Sequence, residues 1–327
     1  MRFSSIFLGC LLGVAFSSVQ ADDLRVGIIG LDTSHVIAFT KILNDPAASS
    51  HVSGAKVVAA YKAFSADIPA SATRVDGYAT QIQDLGVKLV GSIEELCQQV
   101  DCVMIESADG RPHLDEARQV FAAKKRVFID KPLSGTLRDG LEIFRLAKEA
   151  GVPVFTSSAY RYYDTLVELK QTNVGEIRAA ISYGPAHLEP HHPDLFWYGI
   201  HPAEALYTVM GRGCESVTRT HTEDTDVVVG TWSGGRTGTL VGLRTKPLPH
   251  KVIVFGTVAS AEQKADGDNY APLVQQIVKF FQTGVSPVPA EETIELLAFM
   301  EAADESKRHD GVPVKISEVM EAAQNPR

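Results

Sequence analysis

Asp32 and His35 stand three residues apart in Arg25-Val-Gly-Ile-Ile-Gly-Leu-Asp-Thr-Ser-His-Val-Ile-Ala-Phe39, a stretch that reads as a buried strand entering a helix. A carboxylate and an imidazole at a helix start have two uses. They can cap the helix, a role worth about 1 kcal/mol for Asp32, or they can take part in binding a divalent cation. Capping leaves His35 unexplained. The same kind of turn cradles a pyrophosphate in dinucleotide-binding folds, where G-x-G-x-x-G supplies a tight turn, close backbone approach and close helix packing. Here Gly30 holds the first position, Asp32 the second and His35 the third. Gly30, Asp32, Thr33, Ser34 and His35 are therefore the candidate nucleotide contacts. The Asp32 charge, set against a phosphate, predicts weak binding of free NAD or NADP.

A second polar group is Ser107-Ala-Asp-Gly-Arg-Pro-His113, which follows another apolar strand. Arg111 can hold a carboxylate or phosphate there, Asp109 a hydroxyl, and His113 reads as structural. The end of the second strand, where a ribose-binding acid would stand, offers Tyr61, Lys62 and Ala63 instead.

The elements that must position these residues alternate. Strands at 55–61, 87–90, 101–106, 126–129 and 153–156 are separated by helices at 76–85, 92–99, 112–124 and 136–150, with a long loop at 64–75. That alternation implies right-handed crossovers and a parallel sheet covered on both faces. From 176 onwards strands follow one another at 176–183, 216–221, 226–232, 237–243 and 251–256, and two helices come after them at 271–283 and 291–308. The fold class is α/β: a Rossmann-like doubly wound domain at 22–158, then an α+β domain at 159–327 with a mostly antiparallel open sheet. Ile294, Leu297, Ala298 and Glu301 form a stripe expected to cross the domain junction.

Residues 1–21 carry Arg2, an apolar run and small residues before Asp22, the pattern of a cleavable secretory signal. The expected location is periplasmic or secreted, with no membrane segment after cleavage. The net charge of −9 and the lack of a basic stripe argue against nucleic acid. Cys97, Cys102 and Cys214 lack zinc-like spacing and read as buried free thiols.

At Phe128-Ile-Asp-Lys-Pro-Leu133 the order of elements becomes specific. With Trp197-Tyr-Gly-Ile-His201, Ala303-Asp-Glu-Ser306 and Gly311-Val-Pro-Val314, it resembles the Gfo/Idh/MocA family of sugar and cyclitol oxidoreductases across nearly the whole mature chain. The resemblance implies NAD or NADP, a small carbohydrate substrate bound between the nicotinamide and the second sheet, and association into homo-oligomers. It also implies catalytic roles for Lys131, from the acidic-Lys-Pro motif, and for His201, from an Asp-x-x-x-His arrangement. The Asp of that arrangement is Trp197 here, so Glu204, one helical turn on, is the expected partner of His201 and a substrate contact.

The run Pro185-Ala-His-Leu-Glu-Pro-His-His-Pro-Asp194 is rich in imidazole and carboxylate without a diagnostic metal spacing. His187 and His191 are read as gripping sugar hydroxyls, and Phe196, Trp197 and Tyr198 as either stacking on a sugar or filling the core. Three functions compete. The first is an exported oxidoreductase acting on a sugar or cyclitol secondary hydroxyl with an atypical or tightly held nicotinamide nucleotide. The second is a non-redox lyase, epimerase or hydrolase using Lys131 and His201, with a divalent metal at Asp32 and His35. The third is a periplasmic carbohydrate-binding protein.

Overall fold

The computed structural model describes residues 23–246, 249–265, 267 and 269–325, so the leader expected at 1–21 lies outside the described residues. The chain begins with β1 (Leu24–Ile29), α1 (Ser34–Asn44), β2 (Ala55–Tyr61), α2 (Pro69–Ala72), α3 (Val75–Asp84), β3 (Lys88–Val90) and α4 (Ile93–Gln99). There follow β4 (Cys102–Ile105), α5 (His113–Ala122), β5 (Arg126–Asp130), α6 (Leu137–Ala150) and β6 (Val154–Ser157). These six strands are all parallel, in the order β3-β2-β1-β4-β5-β6. The order reverses between β1 and β4. Crevices at such reversals, beyond the carboxyl ends of the strands, are where open α/β sheets bind ligands.

Local chemistry sets the boundaries. Ser92 caps α4 by accepting from the Glu95 N–H at 3.0 Å, Thr136 caps α6 from Asp139 at 3.1 Å, and Gly151 ends α6 in the left-handed conformation. The segment expected as one long loop after β2 contains α2. Pro69 at its first position fixes a helical φ where no N–H is needed.

The second part runs α7 (Asp164–Gln171), β7 (Ile177–Pro185), α8 (Asp194–Trp197), α9 (Ile200–Met210), β8 (Cys214–His221), β9 (Thr225–Trp232) and β10 (Arg236–Leu243). It closes with β11 (Lys251–Gly256), β12 (Ser260–Glu262), α10 (Ala271–Thr283), α11 (Ala290–Arg308), β13 (Val314–Lys315) and α12 (Ile316–Gln324). The sheet order is β12-β11-β7-β10-β9-β8-β13, antiparallel except for the β7–β10 pair. Along β9, buried residues alternate with exposed Val227 and Val229, so one face packs on helices and the other is open.

Two features join the halves. Leu297 of α11 meets Gly140 of α6 so closely that a Cβ added there would lie 2.4 Å from Leu297 Cδ1. Although α10 follows the second sheet in sequence, it lies on the first: Phe280 packs on Phe155 at 5.7 Å, and the Arg126 guanidinium donates to the Phe281 and Gln282 carbonyls.

Arg219, fully buried, anchors the second part. It pairs with Asp226 at 2.8 Å, Asp304 at 2.5 Å and Asp194 at 2.8 Å, tying α8 and α11 to β8 and β9. No helix among the described residues is long and apolar enough to cross a membrane. Cys97, Cys102 and Cys214 are free and buried. Burial pushes the Cys102 and Cys214 thiols up to about 12, which makes them inert near neutral pH.

Candidate active site

The β1–α1 turn is held against its neighbours by backbone bonds from Gly30 N to Tyr61 O, at 3.1 Å, and from Leu31 N to Ala63 O, at 3.0 Å. Gly30 has φ +91°, and a Cβ there would lie 2.3 Å from Ser107 N, so only glycine fits against the end of β4. Asp32 does not cap α1, as capping geometry alone suggested. Thr33 does, accepting from the His35 N–H at 3.0 Å. Asp32 is fully buried and turned sideways. Its carboxylate accepts from the Ser71 hydroxyl at 2.6 Å and from the Ala108 N–H at 2.9 Å, which clamps the turn to α2 and to the segment after β4. Burial raises its pKa above the usual carboxylate range, and those hydrogen bonds oppose the rise.

His35 points elsewhere. Its Nδ1 lies 2.7 Å from Asp130 Oδ2, and its ring stacks on Phe39 at 5.1 Å and meets Tyr270 edge-on at 4.9 Å. The expected metal pair of Asp32 and His35 is therefore not formed, because each is bonded to a different partner.

Above this turn lies a cavity of about 180 Å³. Asp32, Thr33, Ser34 and His35 line one side, and Trp197, Tyr198, His201 and His250 another; Lys131 and Ser158 also reach it. Lys131 emerges just beyond β5, its side chain 14% exposed and its Nζ 3.9 Å from Asp130 Oδ2. His201 lies in the first turn of α9. Its Nδ1 meets the Ser158 hydroxyl at 2.7 Å, and Tyr198 packs on its ring at 5.1 Å. Burial first, and then the positive charge of Lys131, hold the His201 imidazole well below its ordinary pKa. A neutral imidazole and an amine thus share one polar cavity, the pairing needed to take up and return a proton.

Glu204 is not the partner of His201, nor does it line this cavity. It is buried, accepting from the Ser157 hydroxyl at 2.5 Å, the Ser158 N–H at 2.7 Å and the Arg161 guanidinium at 2.8 Å. A carboxylate at that depth must be paired, and Arg161 supplies the charge. Its link to His201 is indirect: it fixes the Ser158 backbone, and the Ser158 side chain meets the imidazole. The orienting role expected of an Asp at position 197 has passed to that hydroxyl, and Trp197 lines the cavity instead.

Asp109 and Arg111 also lie outside the lining. Arg111 pairs with Asp109 at 2.7 Å and Asp67 at 2.8 Å, so its charge is already matched by two carboxylates. Asp109 further accepts from Ser65 at 2.6 Å. Beside it the Gly110 N–H donates to His192 Nε2 at 3.2 Å, a bond that joins the two halves of the molecule. His113 is structural, with Nε2 2.9 Å from Ser107 O and Nδ1 3.0 Å from Pro132 O. His191 is exposed and bonded to Glu189 at 3.0 Å. His187 packs edge-on against Tyr198 at 5.5 Å without lining the cavity. Phe196 is core, while Trp197 and Tyr198 line the cavity. Sequence reasoning missed Tyr160, Tyr163, His250, Tyr270 and exposed Arg74, all of which line it. Single aromatic residues beside helices and strands carry no periodic signal.

A parallel sheet in the order 3-2-1-4-5-6, followed by an open mixed sheet with the cavity at their junction, defines a Rossmann-type α/β fold with a second, mostly antiparallel sheet. Residues 24–158 match the model of the Gfo/Idh/MocA oxidoreductase family, described as having an NAD-binding Rossmann fold. Over those residues, the parallel sheet and its helices, the chain is similar to members of that family. No curated protein sequence matches. Among solved structures the fold is similar to that of a probable dehydrogenase from Thermotoga maritima, at 22% identity and TM-score 0.74 over 90% of this chain and 100% of that one. It is also similar to myo-inositol dehydrogenase from Lactobacillus casei in complex with NAD(H) and myo-inositol, at 17% identity and TM-score 0.72 over 90% and 97% of the two chains. An oxidoreductase from Agrobacterium radiobacter, in complex with NAD⁺, L-tartaric acid and magnesium, matches at 14% identity and TM-score 0.72 over 91% and 99%.

The turn of this chain does not fit a pyrophosphate in the ordinary pose. Asp32 takes the Ala108 N–H, Thr33 takes the His35 N–H at the helix start, and Lys62, at the end of β2, pairs with Asp76 where a ribose acid would stand. The cavity of about 180 Å³ is also smaller than the roughly 300–1,000 Å³ of drug-sized ligand sites.

Proposed function

We propose that the protein is an oxidoreductase acting at a secondary hydroxyl of a sugar or cyclitol, outside the cytoplasm, with a nicotinamide nucleotide held in an atypical way. The observation that carries this reading is the amine of Lys131 and the imidazole of His201 lining one small polar cavity. The cavity volume suits one polyol ring, and Trp197 and Tyr198 offer faces for its C–H surface. His201, held neutral, is ready to accept the hydroxyl proton. Lys131 hydrogen-bonds the same oxygen and holds it in place, and in the reverse direction His201 returns the proton it took. The Lactobacillus casei protein of the same fold binds myo-inositol, which supports a cyclitol as the first compound to try.

One observation favours a second reading, a non-redox lyase, epimerase or hydrolase. Asp32 and Thr33 occupy the hydrogen-bond donors that a dinucleotide would need. Incubation with a panel of cyclitols and sugars, with NAD⁺ or NADP⁺ at millimolar concentration, separates the two by product mass. A product lighter by two hydrogens is the expected result. A product lighter by one water, or of unchanged mass, would transfer the assignment to the second reading.

The altered turn makes its own prediction. Calorimetric titration with NAD⁺ or NADP⁺ shows binding weaker than micromolar, and Asp32→Asn strengthens it at least about tenfold by removing a like charge while keeping the side-chain shape. Micromolar or tighter binding to the wild type would refute the electrostatic argument.

A further inference from the structure

Beneath the cavity, three side chains from three elements converge at the carboxyl edge of the first sheet. His35 comes from α1, Asp130 ends β5, and Glu106 follows β4. One potential ligand atom of each lies within 4.8 Å of those of the other two. We propose that His35, Glu106 and Asp130 form a binding site for one divalent transition-metal cation.

Glu106 points to it most directly. It has no exposed surface, and neither of its carboxylate oxygens has a hydrogen-bond partner among the described residues; Asp130 Oδ1 has none either. Its neighbour Ser107, by contrast, spends its hydroxyl on Glu116 at 2.8 Å. A buried carboxylate with both oxygens unsatisfied costs several kcal/mol, and chains do not retain that cost without a compensating partner. The compensation is either a proton or a cation. A proton would suffice to neutralise Glu106 alone. A proton does not account for the company it keeps. Asp130 lies beside it, its Oδ2 2.7 Å from His35 Nδ1 and 3.9 Å from Lys131 Nζ. Two carboxylates therefore face a shared space with one imidazole.

The donor set and the distances both suit a metal. One imidazole with two carboxylates is a ligand set taken by zinc, manganese and iron. For ligand atoms no more than 4.8 Å apart, one point lies within about 2.8 Å of all three, so shifts of some tenths of an ångström reach the roughly 2.0–2.2 Å of zinc–nitrogen and zinc–oxygen bonds. The arrangement also accounts for His35, which stands where a dinucleotide loop would carry glycine. Of the three residues, His35 also lines the cavity, so an ion reaches the site past its ring.

The test uses full-length mature protein stripped with chelator and then titrated with Zn²⁺, Mn²⁺ and Mg²⁺ in separate experiments. Calorimetry and elemental analysis after gel filtration should give one Zn²⁺ or Mn²⁺ per chain and a rise in melting temperature. Glu106→Gln, nearly isosteric, should weaken binding at least about 10- to 100-fold, and His35→Gln should do the same. Should either variant misfold, crystals of the wild-type protein soaked in Mn²⁺ and measured for anomalous scattering give the answer, with a peak expected between the three side chains. No binding at millimolar metal, binding unaffected by Glu106→Gln, or an anomalous peak elsewhere would each overturn the site. Glu106→Gln raising the melting temperature of metal-free protein, with no ion bound to the wild type, would assign the pair of carboxyls a shared proton instead.

Discussion

Replacing Lys131 by methionine or His201 by alanine lowers substrate turnover about 10²- to 10⁴-fold, the usual worth of a positioned acid or base, while each melting temperature stays within a few degrees of the wild type. The expectation rests on placement. Lys131 emerges from the end of β5 and His201 from the first turn of α9, yet both line the same cavity. Neither is an anchor of the core: Lys131 has one neighbouring carboxylate at 3.9 Å, and His201 one hydroxyl contact at 2.7 Å. Methionine keeps most of the lysine stem and removes the hydrogen-bonding nitrogen, so packing changes little. Steady-state kinetics with thermal melts check this. A variant that loses less than about tenfold would remove that residue from the chemistry.

Arg219→Met destabilises the protein by about 3–5 kcal/mol, the cost of breaking a buried ion pair from one side. Three carboxylates face this one guanidinium; Asp226 also pairs with Arg244 and His221, and Asp194 with Lys307, while Asp226 and Arg219 are wholly buried. Burial alone would raise Asp226, but Arg219, Arg244 and His221 hold it below the usual carboxylate range, and with Arg219 gone the largest of these compensations is lost. The effect reaches the site through Asp194, which begins α8 directly before Trp197 and Tyr198 of the cavity wall. Urea unfolding followed by fluorescence measures the loss. A change below about 1 kcal/mol would mean that water or another cation satisfies the cluster.

The architecture was legible because it is written in local pattern. Apolar strands alternate with helices up to β6 and succeed one another after it, and Ser92, Thr136 and Gly151 mark helix ends by chemistry that reads directly. Of the candidate site, a motif singled out Lys131 and His201, and both line the cavity. Long-range pairing hid the rest. Asp32 looked like a cap because its partners lie 39 and 76 residues away. Arg111 looked available because nothing in the sequence places Asp67 beside it. Helical spacing set Glu204 near His201, yet the carboxylate turns to Ser158 and Arg161, which belong to another element. Glu106 ends an apolar strand, and no local pattern separates it from a solvated strand-end acid.

A substrate oxygen shared by Lys131 and His201 is the central claim, and a histidine titration tests it most directly. The His201 Cε1–H resonance, assigned by its loss in His201→Ala, is followed against pH by NMR in the wild type and in Lys131→Met. In the wild type the midpoint should fall well below the ordinary histidine value of about 6.5, because burial and the Lys131 charge both disfavour the imidazolium. In Lys131→Met the midpoint should move up, since one of those two causes is gone. The same midpoint in both proteins would mean that the amine and the imidazole do not sense each other, and the shared site would be contradicted.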